Sequence, residues 1–386
     1  MKKITSKRFA GRTIDRHIKE EGKAERMKNH FATPFGVIGV GAFIGLTAAL
    51  LQYAGNPGNM GICVACFVRD ITGALGLHRA AVVQYLRPEI IGFVGGSLAA
   101  SILFKEFRPR GGSSPIIRFV LGAFAMIGAL IFLGCPWRAI LRLAGGDLNA
   151  LFGIAGLAGG IFIGTRFLKN GYSLGRSQTQ SPAAGYTLPI TMGLLFAIFL
   201  CNPAVSSDQP QSGVLFYSLK GPGSMHAPGL FSIIAGIVIG FIAQRSRFCT
   251  MGAFRDLILF RQIHLFSGMI SLLIFAWITQ MILGQFKLGF ENQPVAHTLH
   301  LWNFLGMVLA GLSFTLAGGC PGRQLFLTGE GDTDAAIFVI GMTAGAAFAH
   351  NFGLASSPSG IGPHGAAALI IGLIVCMGIG LTLKQK

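Results

Sequence analysis

Two short motifs each occur twice in this chain of 386 residues. Cys63-Val-Ala-Cys-Phe-Val-Arg69-Asp70 and Cys249-Thr-Met-Gly-Ala-Phe-Arg255-Asp256 share the pattern C-x5-R-D, 186 residues apart. Gly134-Cys135-Pro136-Trp137-Arg138 and Gly319-Cys320-Pro321-Gly322-Arg323 share G-C-P-x-R, 185 residues apart. Nine residues after each of these last arginines stands an aspartate, Asp147 and Asp332, each preceded by glycine. Three motifs kept in register define an internal repeat.

The residue types have a chemical logic. Proline is favoured at the first helical position, where its missing N–H would be unpaired anyway and its φ is preset. Cys135 and Cys320 are therefore predicted at helix starts, where free N–H groups and the positive dipole end attract anions and favour thiolate. Arg138 and Arg323, three residues on, fall on the same face one turn later. The expected product is an electropositive, nucleophilic pocket suited to a polarizable anion. Because Cys135 and Cys320 come from equivalent places, they are expected to face one another across a centre, with Cys63 and Cys249 toward the two mouths.

Cys66 adds a C-x-x-C with Cys63. Zinc is not expected there, since Gly252 stands opposite Cys66 in the second half and no further Cys or His completes four ligands; an exchange pair handling a chalcogen stays open. Arg69, Arg255, Asp70, Asp256, Asp147 and Asp332 are either pathway charges or ion pairs holding the halves together, because intramembrane charges are expensive and kept for one of those purposes. Cys201 and Cys376, alone in apolar runs, read as core residues. His226, His297, His300, His350 and His364 read as interfacial.

The elements that would carry these residues are membrane helices. Only 12% of the chain is charged and 52% is hydrophobic, with mean hydropathy +0.62, where a soluble domain averages about 25% charged. Fourteen of the first 28 residues are charged, leaving ten carboxylates in the remaining 358. The net charge of +17 does not indicate nucleic acid, because the basic residues outside the tail cluster between apolar runs and no aromatic-basic stacking module accompanies them. The opening segment is too long and too charged for the start of a signal peptide, and reads as a cytoplasmic tail, solvated or lying on anionic lipid.

Apolar runs near Pro34–Tyr53, Pro88–Phe104, Pro115–Leu133, Leu148–Leu168, Thr187–Leu200, Gly229–Ala243, Leu265–Leu283, Trp302–Ala317, Ala335–His350 and Gly365–Leu383 predict ten spans or re-entrant pairs. Lys105, Arg108, Arg110 and Arg118 in one loop and Arg166, Lys169 and Arg176 in another place both loops in the cytoplasm, with the Asn202–Pro228 connector outside. Arg79 and Arg87 then fall outside against the rule, and a re-entrant element would account for them. Four spans per half and one connecting span invert the second half relative to the first. The expected division is a basic tail over 1–32, a first repeat over 33–170, a connector with one span over 171–227, a second repeat over 228–352 and a last span over 353–386. The fold class is thus an all-α polytopic membrane protein, its two inverted repeats meeting at a central pathway through broken or re-entrant helices, with both termini on the cytoplasmic side of the inner membrane.

NPGNMGICVACFVRD, LGCPWRAILRLAGGD, QRSRFCTMGAFRD and GGCPGRQLFLTGEGD, together with GPGSMHAP and AHNFGLASSP, resemble the YeeE/YedE family of membrane proteins, and within it the YedE branch associated with selenium transport. The resemblance runs from about Thr33 onward. It implies transport of a selenium compound or a thiosulfate-like anion between cysteines on loops that dip to the middle of the membrane, with Cys63, Cys135, Cys249 and Cys320 as the corresponding residues. It also implies a small soluble TusA/YedF-like sulfurtransferase as partner. Cys66 departs from the thiosulfate pattern. No nucleotide-binding motif or cofactor site is read from the sequence. The principal alternatives are a membrane transferase that loads sulfur or selenium onto a soluble carrier and a non-transporting anchor for sulfur or selenium maturation.

Overall fold

The computed structural model describes residues 29–201 and 214–384. Most of the basic tail expected over 1–32, and the part of the connector over 202–213, lie outside the described residues. The described residues form fourteen α-helices: α1 Pro34–Tyr53, α2 Val64–Ala74, α3 Pro88–Leu103, α4 Pro115–Phe132, α5 Pro136–Ala144, α6 Asn149–Lys169, α7 Pro182–Cys201, α8 Gly229–Ser246, α9 Thr250–Phe260, α10 His264–Ile282, α11 His300–Ala317, α12 Pro321–Gly329, α13 Thr333–Asn351 and α14 Gly365–Thr382. Among the described residues, nine helical segments are long and apolar enough to cross a membrane. Every expected span coincides with a helix. The remaining one, α3, has 16 residues, about 24 Å at 1.5 Å per residue and so short of a typical hydrocarbon core.

Local signals start several of these helices, at α5 and α12 as anticipated. Thr33 caps α1 by accepting the Gly36 N–H at 3.0 Å, and proline opens α1, α3, α4, α5 and α12. The outward faces carry large apolar side chains, among them Ile190 and Leu194 on α7 and Ile370, Ile371 and Ile374 on α14. Exposed apolar surface of that extent is compatible with lipid and not with water. The protein is an all-α polytopic membrane protein.

The packing has a two-fold logic. α1 crosses α10 as α8 crosses α3; α4 packs on α13 as α11 packs on α6; α4 and α11 meet each other, as do α1 and α8. The crossings match in detail. A Cβ on Gly41 would overlap the Gly268 carbonyl oxygen where α1 meets α10, and a Cβ on Gly236 would press on Gly92 where α8 meets α3. Small residues at these positions let the backbones touch, which is how lipid-embedded helices gain packing energy.

The connections repeat the same logic. The α3–α4 loop lies along the α12–α13 junction, with Arg108 N–H donating to the Glu330 carbonyl at 2.8 Å and Arg110 N–H to the Gly331 carbonyl at 3.2 Å. The α10–α11 loop lies along the α5–α6 junction, with Lys287 N–H on the Gly145 carbonyl at 2.9 Å and Gly289 N–H on the Gly146 carbonyl at 3.0 Å. A two-residue antiparallel ladder, β1 Arg110–Gly111 with β2 Gln178–Thr179, joins the two basic loops, so they share one face of the protein.

Four short helices lie between the long ones. All eleven residues of α2 are buried, as are Pro136–Arg142 of α5 and Pro321–Phe326 of α12, and only the first turn of α9 is buried. Helices of nine to eleven residues reach about 14–17 Å and cannot cross a membrane alone. α5 continues from α4, and α12 from α11, after a break at Leu133 and Gly318, both in the left-handed region at φ +64° and +87°. Glycine adopts that conformation freely, whereas leucine does so at a cost of about 1 kcal/mol.

Candidate functional site

Each of the four repeated cysteines immediately precedes a short helix: Cys63 before α2, Cys135 before α5, Cys249 before α9 and Cys320 before α12. The sequence pointed to this for Cys135 and Cys320 through their prolines. Cys63 and Cys249 have no such proline, and their sulfurs act as caps instead, accepting the N–H of Cys66 and of Gly252 at 3.3 Å each. All four, and Cys66, are buried.

The thiols pair within each half. Cys63 Sγ lies 3.7 Å from Cys135 Sγ, and the Cys320 N–H donates to Cys249 Sγ at 3.5 Å. Each G-C-P cysteine thus neighbours the C-x5-R-D cysteine of its own half. The residue that reaches across is Trp137, whose indole lies against Gly322, its counterpart in the second half.

Arg138 is fully buried and makes no ion pair among the described residues. Its guanidinium donates to carbonyls instead: Nη1 to Leu133, Nε to Asn59 at 3.3 Å, and Nη2 to Pro294 and Val295 at 3.2 and 3.1 Å. Nη1 also points at Cys66 Sγ, 3.7 Å away, and Cys66 in turn reaches the Leu133 carbonyl at 3.9 Å. The left-handed turn at Leu133 aims that carbonyl at both groups.

Arg323 has a different setting. Its Nη1 lies 3.0 Å from Glu330 Oε1, and Glu330 also meets Arg110 at 3.4 Å. The residue corresponding to Glu330 in the first half is Gly145, so the equivalence expected for Arg138 and Arg323 holds for position and fails for charge.

The other charges are mostly ion-paired. Asp70 is clamped by Arg69 at 2.6 Å and Arg87 at 2.8 Å, and Arg87 also donates to the Met225 and Pro222 carbonyls. Arg87 is thus a buried tie between α2, α3 and the 222–225 segment. Asp147 pairs with Arg142 at 2.6 Å and accepts the Asn149 N–H at 2.9 Å. Asp332 pairs with Arg110 at 2.8 Å and caps α13 through the Ala335 N–H at 2.9 Å. Arg255 and Asp256 pair with each other at 2.8 Å, partly exposed, and do not share the burial of Arg69 and Asp70. Arg142 and Glu330 were missed in the sequence, although spacings of five residues to Asp147 and seven from Arg323 lie within reach of long side chains. Glu89, buried and held by Asn56 and Ser232 at 2.8 and 2.9 Å, was also missed.

Cys201 is exposed and not in the core as expected, while Cys376 is buried against Ser313 at 3.4 Å. Among the described residues, no cluster of three His, Cys, Asp or Glu side chains could hold a metal ion.

Parts of the chain are similar in sequence to known proteins. Residues 245–378 match the family model Sulf_transp, described as sulphur transport. The chain is 34% identical over 103 residues to the Thiosulfate transporter TsuA of Spirochaeta thermophila, covering 27% of this chain and 31% of that protein. It is 33% identical over 105 residues to the Thiosulfate transporter TsuA of Escherichia coli, covering 26% of this chain and 28% of that one. The chain therefore spans less than a third of the length of the curated relatives it matches. Over its second half, where Cys249 and Cys320 lie, the chain is thus similar to the sulphur-transport family.

Proposed function

We propose that the protein is an inner-membrane transporter or channel that passes a small sulfur-containing anion through its middle by way of Cys63, Cys135, Cys249 and Cys320. The observation that carries the reading is Arg138: a fully buried cation with no carboxylate partner among the described residues, beside three thiols. Desolvating an unpaired charge costs several kcal/mol, and carbonyl oxygens offset only part of it. An arriving anion offsets the rest. Thiol S–H groups and helix N–H groups then hold a polarizable, soft oxyanion without binding it so tightly that it cannot leave.

The two halves are read as inverted repeats over 33–170 and 228–352. The reciprocal packing of α1–α6 with α8–α13 supports this, as does the concentration of basic residues on the loops joined by the β ladder. In that orientation both termini are cytoplasmic. The arginines Arg69 and Arg255 lie one turn or more beyond Cys63 and Cys249 and shape the field along the route rather than hold the anion. The names of the relatives favour thiosulfate. Selenium species present the same soft chemistry, and a TusA/YedF-like carrier would receive the cargo in the cytoplasm.

The test is uptake of labelled thiosulfate and labelled selenite into vesicles containing the purified protein. Saturable uptake that is lost in Cys135→Ala and Arg138→Gln, with both variants present in the membrane, is the expected result. Vesicles that accumulate neither compound, but load a label onto a carrier protein, would refute transport in favour of a transferase.

A further inference from the structure

Trp137 occupies the variable position of the first G-C-P-x-R motif, and Gly322 that of the second. Its side chain is 1% exposed. It packs edge-on against Phe93 at 5.9 Å and Phe248 at 5.8 Å between ring centroids, and lies 6.1 Å from the Phe326 ring. Phe248 precedes Cys249, and Trp137 itself is two residues beyond Cys135. A Cβ on Gly322 would come within 3.2 Å of the indole. The indole, two residues beyond Cys135, therefore lies against the segments that flank Cys249 and Cys320.

The indole nitrogen makes a second, independent point. Trp137 Nε1 is buried and has no hydrogen-bond acceptor. A buried tryptophan N–H normally finds one, and leaving a donor unpaired is costly. The three flanking rings offer edges and faces but no acceptor atom. An oxyanion entering from either thiol pair would supply that acceptor.

We propose that Trp137 is the gate and selectivity residue between the two thiol pairs: its ring closes the route at rest, and its N–H is the donor that greets the anion as it crosses. This rests on the transport reading. The asymmetry of the two motifs then has a physical reason, since two tryptophans would collide at the place where one indole and one glycine fit. The apolar collar of Phe93, Phe248 and Phe326 excludes water around the crossing, so an anion that cannot use the N–H finds no compensation for its lost hydration.

The experiment uses the full-length protein in vesicles, with labelled thiosulfate and labelled sulfate as probes. Trp137→Phe keeps the collar filled and removes only the donor; thiosulfate uptake is expected to fall about tenfold, the scale of one hydrogen bond to a charged group. Trp137→Gly is expected to open the route and raise sulfate flux relative to thiosulfate. Adding Gly322→Trp to that variant places an indole from the opposite half and is expected to restore discrimination. In a Trp277→Phe, Trp302→Phe background, which leaves Trp137 as the sole tryptophan, thiosulfate should change the emission with a saturable dependence. Wild-type uptake with unchanged selectivity in Trp137→Phe and Trp137→Gly would overturn the gate while leaving the transport reading intact. A wild type that moves neither thiosulfate nor selenite would overturn the transport reading first, whatever Trp137 does.

Discussion

Cys63 Sγ and Cys135 Sγ lie 3.7 Å apart, although 72 residues separate them in the chain. The contact brings the start of one fully buried helix against the start of another and makes the two thiols of the first half a unit. An approach of under 2 Å would allow a disulfide, whose S–S bond is about 2.04 Å. In Cys66→Ala, a membrane-permeant thiol oxidant should therefore link Cys63 to Cys135, identified by mass spectrometry of the peptides, and uptake should stop until a reductant is added. Recovery of a Cys135–Cys320 link as the main product would contradict the pairing.

Arg138 and Arg323 are expected to behave differently. Arg138→Gln removes an unpaired cation that an anion is proposed to meet, and uptake should fall by about tenfold or more, the scale of a charged hydrogen bond. Arg323→Gln removes a cation that already has Glu330 at 3.0 Å, and Glu330 keeps Arg110 as a partner. Its uptake should fall only a few-fold. Initial rates normalised to membrane protein level decide it, and equal losses in both variants would undo the distinction.

The carboxylates should read out as stability. Asp147→Asn breaks a fully buried pair with Arg142 and weakens the start of α6, a loss on the order of 3–5 kcal/mol. Protein level and activity should drop in proportion, measured as thermal aggregation in detergent beside uptake. Asp332→Asn, whose partner Arg110 is 30% exposed, should be milder. An Asp147→Asn protein of normal thermal stability that fails to transport would return this residue to the pathway.

At the loop face, burial raises the Glu106 carboxyl, but the Gln244 hydrogen bond and the Arg245 guanidinium outweigh it and hold it below the ordinary carboxylate range. A depressed folded-state pKa contributes stability above the unfolded value and loses it as pH falls through the folded one. The α3–α8 contact should loosen as pH drops into the acidic carboxylate range. The Glu106→Gln variant should lose that part of the acid sensitivity in a pH series of thermal melts; an unchanged profile would contradict it.

Much of this was legible in the sequence. The ten apolar runs each became a helix because lipid demands continuous internal hydrogen bonding, and Pro136 and Pro321 announced the helix starts beneath Cys135 and Cys320. The capping by Cys63 and Cys249 had no such herald, since a thiol is a rare cap and neither is followed by proline. The pairing of Cys63 with Cys135 depends on how α2 and α5 dock, which local periodicity does not encode. The charge asymmetry was present as Glu330 in one half and Gly145 in the other, visible once Arg323 and its neighbour seven residues on are considered together. Trp137 stood in plain view as the odd residue of a repeated motif; only its surroundings show that its N–H has no acceptor.

The most direct measurement is the initial rate of labelled thiosulfate uptake into vesicles holding the wild type or a variant in which Cys63, Cys135, Cys249 and Cys320 are all alanine. Cys376→Ala serves as the control, since its thiol is buried against Ser313 and lies outside the repeated motifs. A buried thiol route predicts saturable wild-type and control uptake and none above empty vesicles for the fourfold variant at equal protein level. Uptake by the fourfold variant at the wild-type rate would contradict it.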